Sequence, residues 1–239
     1  MSYAKSLTHD QGQSVSSSGV DERVAFIRRT YLHLAGAIIV FVLFEALLFE
    51  MNIAWEYVSF ALSGRINWLV ILGLFMVVGW LADRWAHNGA SKGLQYIGLA
   101  LYTFAEAILF MPLLVIVSIV STPVVIPSAA IISLSVFIGL TAVVFLTKAD
   151  FSFLRMGLIA GGLVAIALIV SSLIFGFNLG VLFSAAMVGL AAGYILYNTS
   201  GLLHSYNTDQ HVAASLALFA DFALLFWYVL RLLSALNRR

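Results

Sequence analysis

The sequence predicts an all-α membrane protein built as a bundle of seven transmembrane helices. Of its 239 residues, 62% are apolar and 10% are charged, whereas about 25% are charged in a typical soluble protein. So few charged side chains cannot cover a soluble core of this size, and the apolar surface must therefore face lipid. Seven long stretches also lack Lys and Arg, and none shows the two-residue alternation that β-barrel strands need.

Each of the seven stretches is long enough to cross the hydrocarbon core, which takes about 20 residues of helix. In order, they are 31–49, 66–82, 94–120, 128–146, 156–177, 180–197 and 212–230. The third is expected to tilt or to end early, because Pro112 removes a backbone donor inside it and Pro123 follows it.

The first 30 residues are different in kind, since they are polar, rich in serine and without an apolar period. They predict a disordered cytoplasmic tail, residues 1–30, ahead of a single transmembrane helical domain, residues 31–239.

The distribution of Lys and Arg predicts a cytoplasmic N-terminus. In that orientation the first three outer loops carry Arg65 alone, against eight cytoplasmic residues: Lys5, Arg23, Arg28, Arg29, Arg84, Lys92, Lys148 and Arg155. Seven full crossings would leave Arg231, Arg238 and Arg239 outside, against the rule. A re-entrant last segment would return them to the cytoplasm, but we favour seven crossings because 212–230 is of full spanning length.

Small residues predict where helices approach closely. Gly157 and Gly161 are four residues apart, as are Gly189 and Gly193. In a protein with many helices this spacing favours packing within the bundle over dimerisation, and the oligomeric state stays open. The last stretch also carries alanines around Asp221, which suits a helix surrounded by other helices: Ala213, Ala214, Ala217, Ala220 and Ala223.

Three acidic residues fall inside the stretches, where an ionised side chain at a helix centre costs about 2.5 to 3.5 kcal/mol. Asp221 is the tenth of nineteen residues in the last stretch, close to the midplane, and is the strongest functional candidate. Glu106, the thirteenth of 27 residues in the third stretch, is a further possible intramembrane acid. Glu45 lies nearer the outer end, where a side chain that reaches the interface is the favoured interpretation.

The candidate partners of Asp221 are Asn198, at the end of the sixth stretch, and Arg84, at the end of the second. Their geometry decides its chemistry, because desolvation alone favours the neutral acid whereas a guanidinium favours the carboxylate. A carboxylate also suits a cation pathway, since calcium takes oxygen ligands. The alternative is a structural hydrogen bond or ion pair that fixes the last helix in the bundle.

Other chemistry has little support in the sequence. There are no cysteines, and a net charge of +1 gives no case for nucleic-acid binding. His204, Asp209 and His211 are interpreted as part of a polar loop rather than as a metal site. The segment 198–201 lacks the leading glycine and the later histidine of an intramembrane serine protease. We therefore predict no catalytic residue, no bound metal and no cofactor, and a protein that is not an enzyme.

Several motifs resemble those of the Bax inhibitor-1 (TMBIM) family, and the chain is identified as a bacterial member. They are YILYN at 194–198, SLALFADF at 215–222, LF at 225–226, LRLL at 230–233 and KADFSFL at 148–154. The resemblance implies a seven-helix bundle with the C-terminal helix at its centre and a pH-sensitive calcium leak across the inner membrane.

The resemblance also implies roles for particular residues. In relatives, two aspartates on the last two helices act as the pH sensor, and an arginine near the end of the second helix latches them. Asp221 matches one aspartate and Arg84 matches the arginine, but Asn198 replaces the other aspartate. An amide cannot join the coupled titration of two carboxylates, so we predict weaker or shifted pH gating in this chain.

Two functions follow as expectations. The first is a pH-influenced cation leak channel or transporter, with calcium as the expected ion, gated around Asp221. The alternative is a regulatory interaction protein that modulates a membrane-bound ATP-dependent protease, for which the polar N-terminal tail is the relevant feature. The expected partners are accordingly the lipid bilayer, calcium and such a protease.

Overall fold

The computed structural model describes residues 14–89 and 91–237, with the backbone alone at 52–54. These residues form eight α-helices and a short 3-10 helix at Ser152–Leu154. The α-helices are α1 Val20–Glu50, α2 Asn52–Leu62, α3 Arg65–Ala86, α4 Lys92–Val120, α5 Val125–Thr147, α6 Arg155–Phe175, α7 Gly180–His204 and α8 His211–Leu236. All except α2 are long and apolar enough to cross a membrane, which confirms the predicted all-α membrane fold with seven spanning helices.

Two of the spanning helices settle alternatives that the sequence left open. α4 continues through Pro112 as far as Val120, so of the two expected alternatives, tilting or ending early, it does not end early. Pro112 and its neighbours Met111, Leu114 and Val115 are buried, and this packing outweighs the loss of one backbone hydrogen bond. α8 is also continuous, so the described residues contain no re-entrant break in the last segment.

The N-terminal boundary needs a correction. The polar tail was placed at residues 1–30, but α1 already begins at Val20, eleven residues before the predicted stretch at 31. Before it, Val15 is buried, and its N–H donates to the Tyr206 carbonyl at 2.9 Å. The Arg23 guanidinium stabilises this segment through hydrogen bonds to the carbonyls of Val15 (3.1 Å) and Ser16 (3.0 Å). Residues 1–13 lie outside the described part of the chain.

The C-terminal helix occupies the centre of the bundle, as predicted. α8 packs against α7, α5, α1, α4 and α3, and most of its residues are buried. Its Phe219 ring contacts Phe41 of α1 and Tyr102 of α4, with ring centroids 6.0 and 6.2 Å apart. The small alanine side chains of α8 allow so many helices to surround it.

The bundle has two ends that matter for the site. α1 and α8 begin at the same end, where the rings of His33 and His211 lie 5.2 Å apart; we call this the N-terminal end. At the opposite end, the hydroxyls of Ser121 and Ser234 form a hydrogen bond of 2.8 Å between the ends of α4 and α8.

The predicted small-residue contacts lie within the chain. A Cβ atom on Gly161 would stand 2.8 Å from Leu190 of α7, and one on Gly193 would stand 2.8 Å from Leu158 of α6. The two glycines therefore receive leucines from the facing helix, whereas Gly157 and Gly189 have open space around their Cβ positions.

Gly98 makes the tightest helix contact with backbone atoms. A Cβ atom there would lie 2.6 Å from the Ala82 carbonyl oxygen and 2.9 Å from the Ala86 nitrogen of α3. We expect Gly98→Ala to separate α3 from α4 and to lower the free energy of unfolding by about 1 to 3 kcal/mol, as overpacking does. Thermal unfolding of the purified protein in detergent measures this change.

The matched control is Gly139→Ala in α5, where no atom lies within 4 Å of the new Cβ. Alanine is the better helix former by about 1 kcal/mol, so this variant should be as stable as the wild type or more stable. Equal destabilisation by both substitutions would contradict the close α3–α4 contact.

Candidate functional site

The centre of the site is a hydrogen bond between α7 and α8. The Asn198 amide donates from Nδ2 to Oδ2 of Asp221 at 2.8 Å, and Asp221 is only 6% exposed. The two helices run antiparallel after a short connection, so residues near the end of α7 and within α8 meet side by side. Of the two predicted partners of Asp221, Asn198 is thus the one in contact.

A polar cavity of about 350 Å³ reaches Asn198 from the N-terminal end of the bundle, while Asp221 lies behind the amide and does not line it. Its wall includes Asn198 and combines the end of α3, the loop before α6, the last turns of α7 and the loop before α8. The other lining residues are His87, Asp150, Ser152, Arg155, Tyr197, Ser200, Gly201, Ser205, Tyr206 and Gln210. A polar cavity of this size can hold water next to the amide of Asn198, one side chain away from Asp221.

The loop at 148–154, one of the motifs identified in the sequence, forms part of the wall. Ser200 of α7 fixes it, because its buried hydroxyl accepts from the Phe151 N–H at 3.0 Å and donates to the Ala149 carbonyl at 3.3 Å. Lys148 takes a left-handed conformation with φ of 52°, which ends α5 and turns the chain into the loop. The sequence suggested Ser200 only as part of a protease motif, and its anchoring role becomes visible in the fold.

Charged groups flank the cavity. The Asp150 carboxylate accepts the Ser152 N–H at 2.8 Å, and these hydrogen bonds from Ser152 hold the pKa of Asp150 below its ordinary value. The His87 Nδ1 lies 3.2 Å from the Asp83 carboxylate and 2.9 Å from the Asp83 carbonyl. This contact with Asp83 raises the pKa of His87, against the opposing effect of partial burial.

The fold does not place Arg84 in contact with Asn198 or Asp221. Its side chain is exposed, and its guanidinium lies 5.4 Å from the centre of the Trp80 ring. Within residues 14–89 and 91–237, it forms no ion pair with Asp221. The role of Arg84 as a latch, which the resemblance implies, stays a prediction.

The other two intramembrane acids are both buried. Glu106 is 5% exposed on α4, and the Tyr102 hydroxyl hydrogen-bonds to it. Glu45 is 6% exposed on α1, so the expectation that it reaches the interface is wrong. Its side chain is enclosed because α2 packs against α1 and α4 at this level, and the sequence had not indicated that helix.

His204, Asp209 and His211, around the connection between α7 and α8, each contact different residues. His204 donates from Nδ1 to the Ser200 carbonyl at 2.9 Å, whereas His211 packs against His33 and Tyr96. The Asp209 carbonyl accepts from the Lys92 ammonium at 3.0 Å. These contacts explain the three residues as parts of the loop structure.

The fold and this site define a multi-pass α-helical membrane protein with a buried Asn–Asp pair, of which Asn198 lines a polar cavity. The chain belongs to the family described as Inhibitor of apoptosis-promoting Bax1, whose model matches residues 23–238. This confirms the family identified from the motifs, while the bacterial origin stays a prediction.

Relatives of the chain cover nearly its full length. It is 23% identical over 241 residues to Protein lifeguard 4 of Mus musculus, covering 99% of this chain and 97% of that one. It is 29% identical over 228 residues to Bax inhibitor 1 of Schizosaccharomyces pombe, with 90% and 78% covered. It is also 26% identical over 232 residues to the Golgi anti-apoptotic protein of Vaccinia virus (strain Lister), with 95% and 92% covered.

We expect Ser200→Ala to loosen the loop at 148–154. The substitution leaves the Phe151 N–H without its acceptor and should lower the free energy of unfolding by about 1 to 3 kcal/mol. Ser59→Ala is the control, because the exposed Ser59 hydroxyl bonds only to the Glu56 carbonyl of its own helix. That change should stay within about 0.5 kcal/mol. Unfolding curves that coincide for the two variants would argue against the anchor.

The raised pKa of His87 predicts a pH response at the cavity wall. The unperturbed value is about 6.5, so below that pH the imidazolium pairs with Asp83 and its stabilisation is fully present. As the pH rises through the raised pKa of folded His87, the charge and the stabilisation are lost. NMR titration of the ring should show this midpoint, and Asp83→Asn should move it downward. A midpoint that Asp83→Asn leaves in place would contradict the pairing.

Proposed function

We propose that the protein passes cations, with calcium as the expected ion, along a path that includes Asp221 and opens through the polar cavity. The observation that carries this proposal is the position of the Asn198–Asp221 pair, buried within the bundle yet adjoining a polar cavity of about 350 Å³. An acid at that depth needs donors, water or a cation, and the cavity can supply the last two.

The oxygen atoms around the cavity suit a hard cation. One acidic residue, Asp150, lines it together with residues that carry hydroxyl or amide groups, and carboxylate, carbonyl and water oxygens are the ligands that calcium takes. The negative charge of Asp150, which the hydrogen bonds from Ser152 stabilise, favours cations near the opening. Arg155 and protonated His87 on the same wall oppose them, and because only His87 of the two changes charge with pH, acidification should weaken cation attraction at the opening.

The pair itself links the path to pH. The Asn198 amide donates to Oδ2 of Asp221, and a carboxylate accepts such a hydrogen bond more strongly than a neutral acid does. Protonation of Asp221 would therefore weaken both the contact between α7 and α8 and the attraction for a cation. Because Asn198 does not titrate, the pair releases one proton where two acids would release two.

We further propose that the N-terminal end of the bundle faces the cytoplasm in the inner membrane of a cell. The bias of Lys and Arg toward that side supports the orientation. In this orientation the polar cavity opens to the cytoplasm, and Arg231 lies toward the other side, because α8 runs unbroken from one end to the other.

The test is calcium flux into proteoliposomes. Asp221→Asn keeps the size and the hydrogen-bonding capacity of the side chain but removes the charge, so flux should fall to the level of protein-free liposomes. Asp21→Asn is the matched control, because Asp21 is exposed in the first turn of α1 and the same isosteric change should leave flux unaltered. Wild-type flux in the Asp221→Asn variant would overturn the proposed path.

The second candidate, modulation of a membrane-bound ATP-dependent protease, depends on the N-terminal tail. Ser14 and Val15 contact the loop before α8, so the test of this candidate removes only the residues before that contact. Deletion of residues 1–13 alone keeps the contacts of Val15 and Arg23. A regulator should lose its effect on the protease in that variant, whereas calcium flux should persist.

A further inference from the structure

Glu45 is enclosed at the level where α2 packs against the bundle. It lies on α1 five residues before Glu50, the last residue of that helix. One turn later, Leu48 and Phe49 pack against Val58 of α2 together with Met111 and Val115 of α4. Tyr57 of α2 belongs to the same cluster, so an acidic side chain is surrounded here mainly by apolar groups.

Among the residues that the structure describes, none forms a hydrogen bond with the carboxylate of Glu45. Neither Oε1 nor Oε2 is bonded to any described residue, and the Tyr57 hydroxyl is equally buried and unpartnered. The two other buried acids in the described residues differ, since Asn198 donates to Asp221 and Tyr102 bonds to Glu106. Glu45 therefore presents two free oxygen atoms in an enclosed space.

Tyr57 is the titratable group that faces Glu45 from the helices packed around it. Tyr57 packs in the same cluster as Leu48 and Phe49 of α1, the turn after Glu45, and burial raises the pKa of Tyr57 to about 12. From α4 the neighbouring side chains are the apolar Met111 and Val115. No cationic side chain therefore contacts the carboxylate in the part of the chain that the structure describes.

A carboxylate in such surroundings cannot stay ionised and unpaired, because burial of an unpaired charge is far more costly than burial of a neutral group. It must carry a proton or bind a cation. Its oxygen atoms, like the unpartnered hydroxyl of Tyr57 on the neighbouring helix, are the ligands of a hard cation rather than of a soft metal. The surroundings thus restrict the ligand to a proton or a hard cation.

Glu45 also adjoins the helix that carries Asp221. The ring of Phe41, one turn before Glu45, contacts the ring of Phe219, two residues before Asp221, with centroids 6.0 Å apart. The same ring contacts Phe110 of α4 at 5.1 Å. Both acids therefore follow, within about one helical turn, residues that form one aromatic contact between α1 and α8.

We propose that Glu45 and Tyr57 form a second cation site, in which Glu45 holds a proton at rest and releases it when a hard cation binds. The inference rests on the proposed function in placing this site on the same cation path as Asp221. The exchange is balanced, because the carboxylic acid gives up one proton to water and the carboxylate takes up the cation. Protons and cations therefore compete for the site, so withholding protons should raise its occupancy by the cation, and withholding the cation should leave Glu45 protonated.

The test uses dicyclohexylcarbodiimide on the full-length protein in liposomes. This apolar reagent adds to a protonated carboxylic acid in apolar surroundings, and mass spectrometry of the digested protein locates the adduct. We expect an adduct at Glu45 that calcium chloride suppresses in a concentration-dependent manner, while choline chloride of equal ionic strength does not. Glu50 and Glu56 serve as internal controls, since both are exposed and should stay unmodified.

Two variants complete the test. Glu45→Gln should abolish this adduct, and Tyr57→Phe should preserve it while raising several-fold the calcium concentration needed for half-protection. A Glu45 that does not react, or that reacts equally with and without calcium, would overturn the inference. Protection that Tyr57→Phe leaves unchanged would overturn the role of Tyr57.

Calcium protection of Glu45 tests this inference, whereas calcium flux tests the proposed function, so the two can fail separately. If calcium protects Glu45 although Asp221→Asn leaves flux intact, the cation site at Glu45 stands and the path through Asp221 fails. If flux depends on Asp221 although Glu45 never reacts, the path stands and the inference at Glu45 is wrong.

Discussion

An aspartate at the centre of a bundle in lipid needs hydrogen-bond donors, and the rest of this structure follows from how Asp221 obtains one. The amide of Asn198 supplies the donor, at 2.8 Å. For that contact α7 must run beside α8, and α8 must be surrounded by other helices, because lipid offers no alternative partner. The alanines of α8 and the glycine contacts between α6 and α7 allow this close packing.

The same constraint shapes the N-terminal end of the bundle. α7 carries Asn198 toward Asp221 and, half a turn later, Ser200 toward the loop at 148–154. One helix thus orients the buried pair and fixes a wall of the cavity beside it. The buried Val15 packs on the loop that joins α7 to α8, and its N–H donates to the Tyr206 carbonyl of that loop.

The hydropathy pattern predicted the number of crossings and the depth of Asp221, and the alanines indicated that the last helix has helical neighbours, while its central position was implied by the family resemblance. These patterns could do so because lipid imposes length and polarity on each helix separately. The lateral arrangement is a different matter. The enclosure of Glu45 depends on α2, which has only 11 residues and crosses nothing, and the exposure of Arg84 depends on which face α3 turns toward α4. No local sequence pattern indicates either the enclosure of Glu45 or the exposure of Arg84, because both depend on how distant helices pack.

The central claim is that the Asn198–Asp221 pair sets the pH response of the cation path. Calcium flux into proteoliposomes that contain the Asn198→Asp variant, recorded from about pH 5 to pH 8, tests it most directly. The account predicts a displaced pH profile, because two adjoining carboxylates titrate as a coupled pair whereas Asp221 beside an amide titrates alone. Superimposable profiles of the variant and the wild type would contradict it.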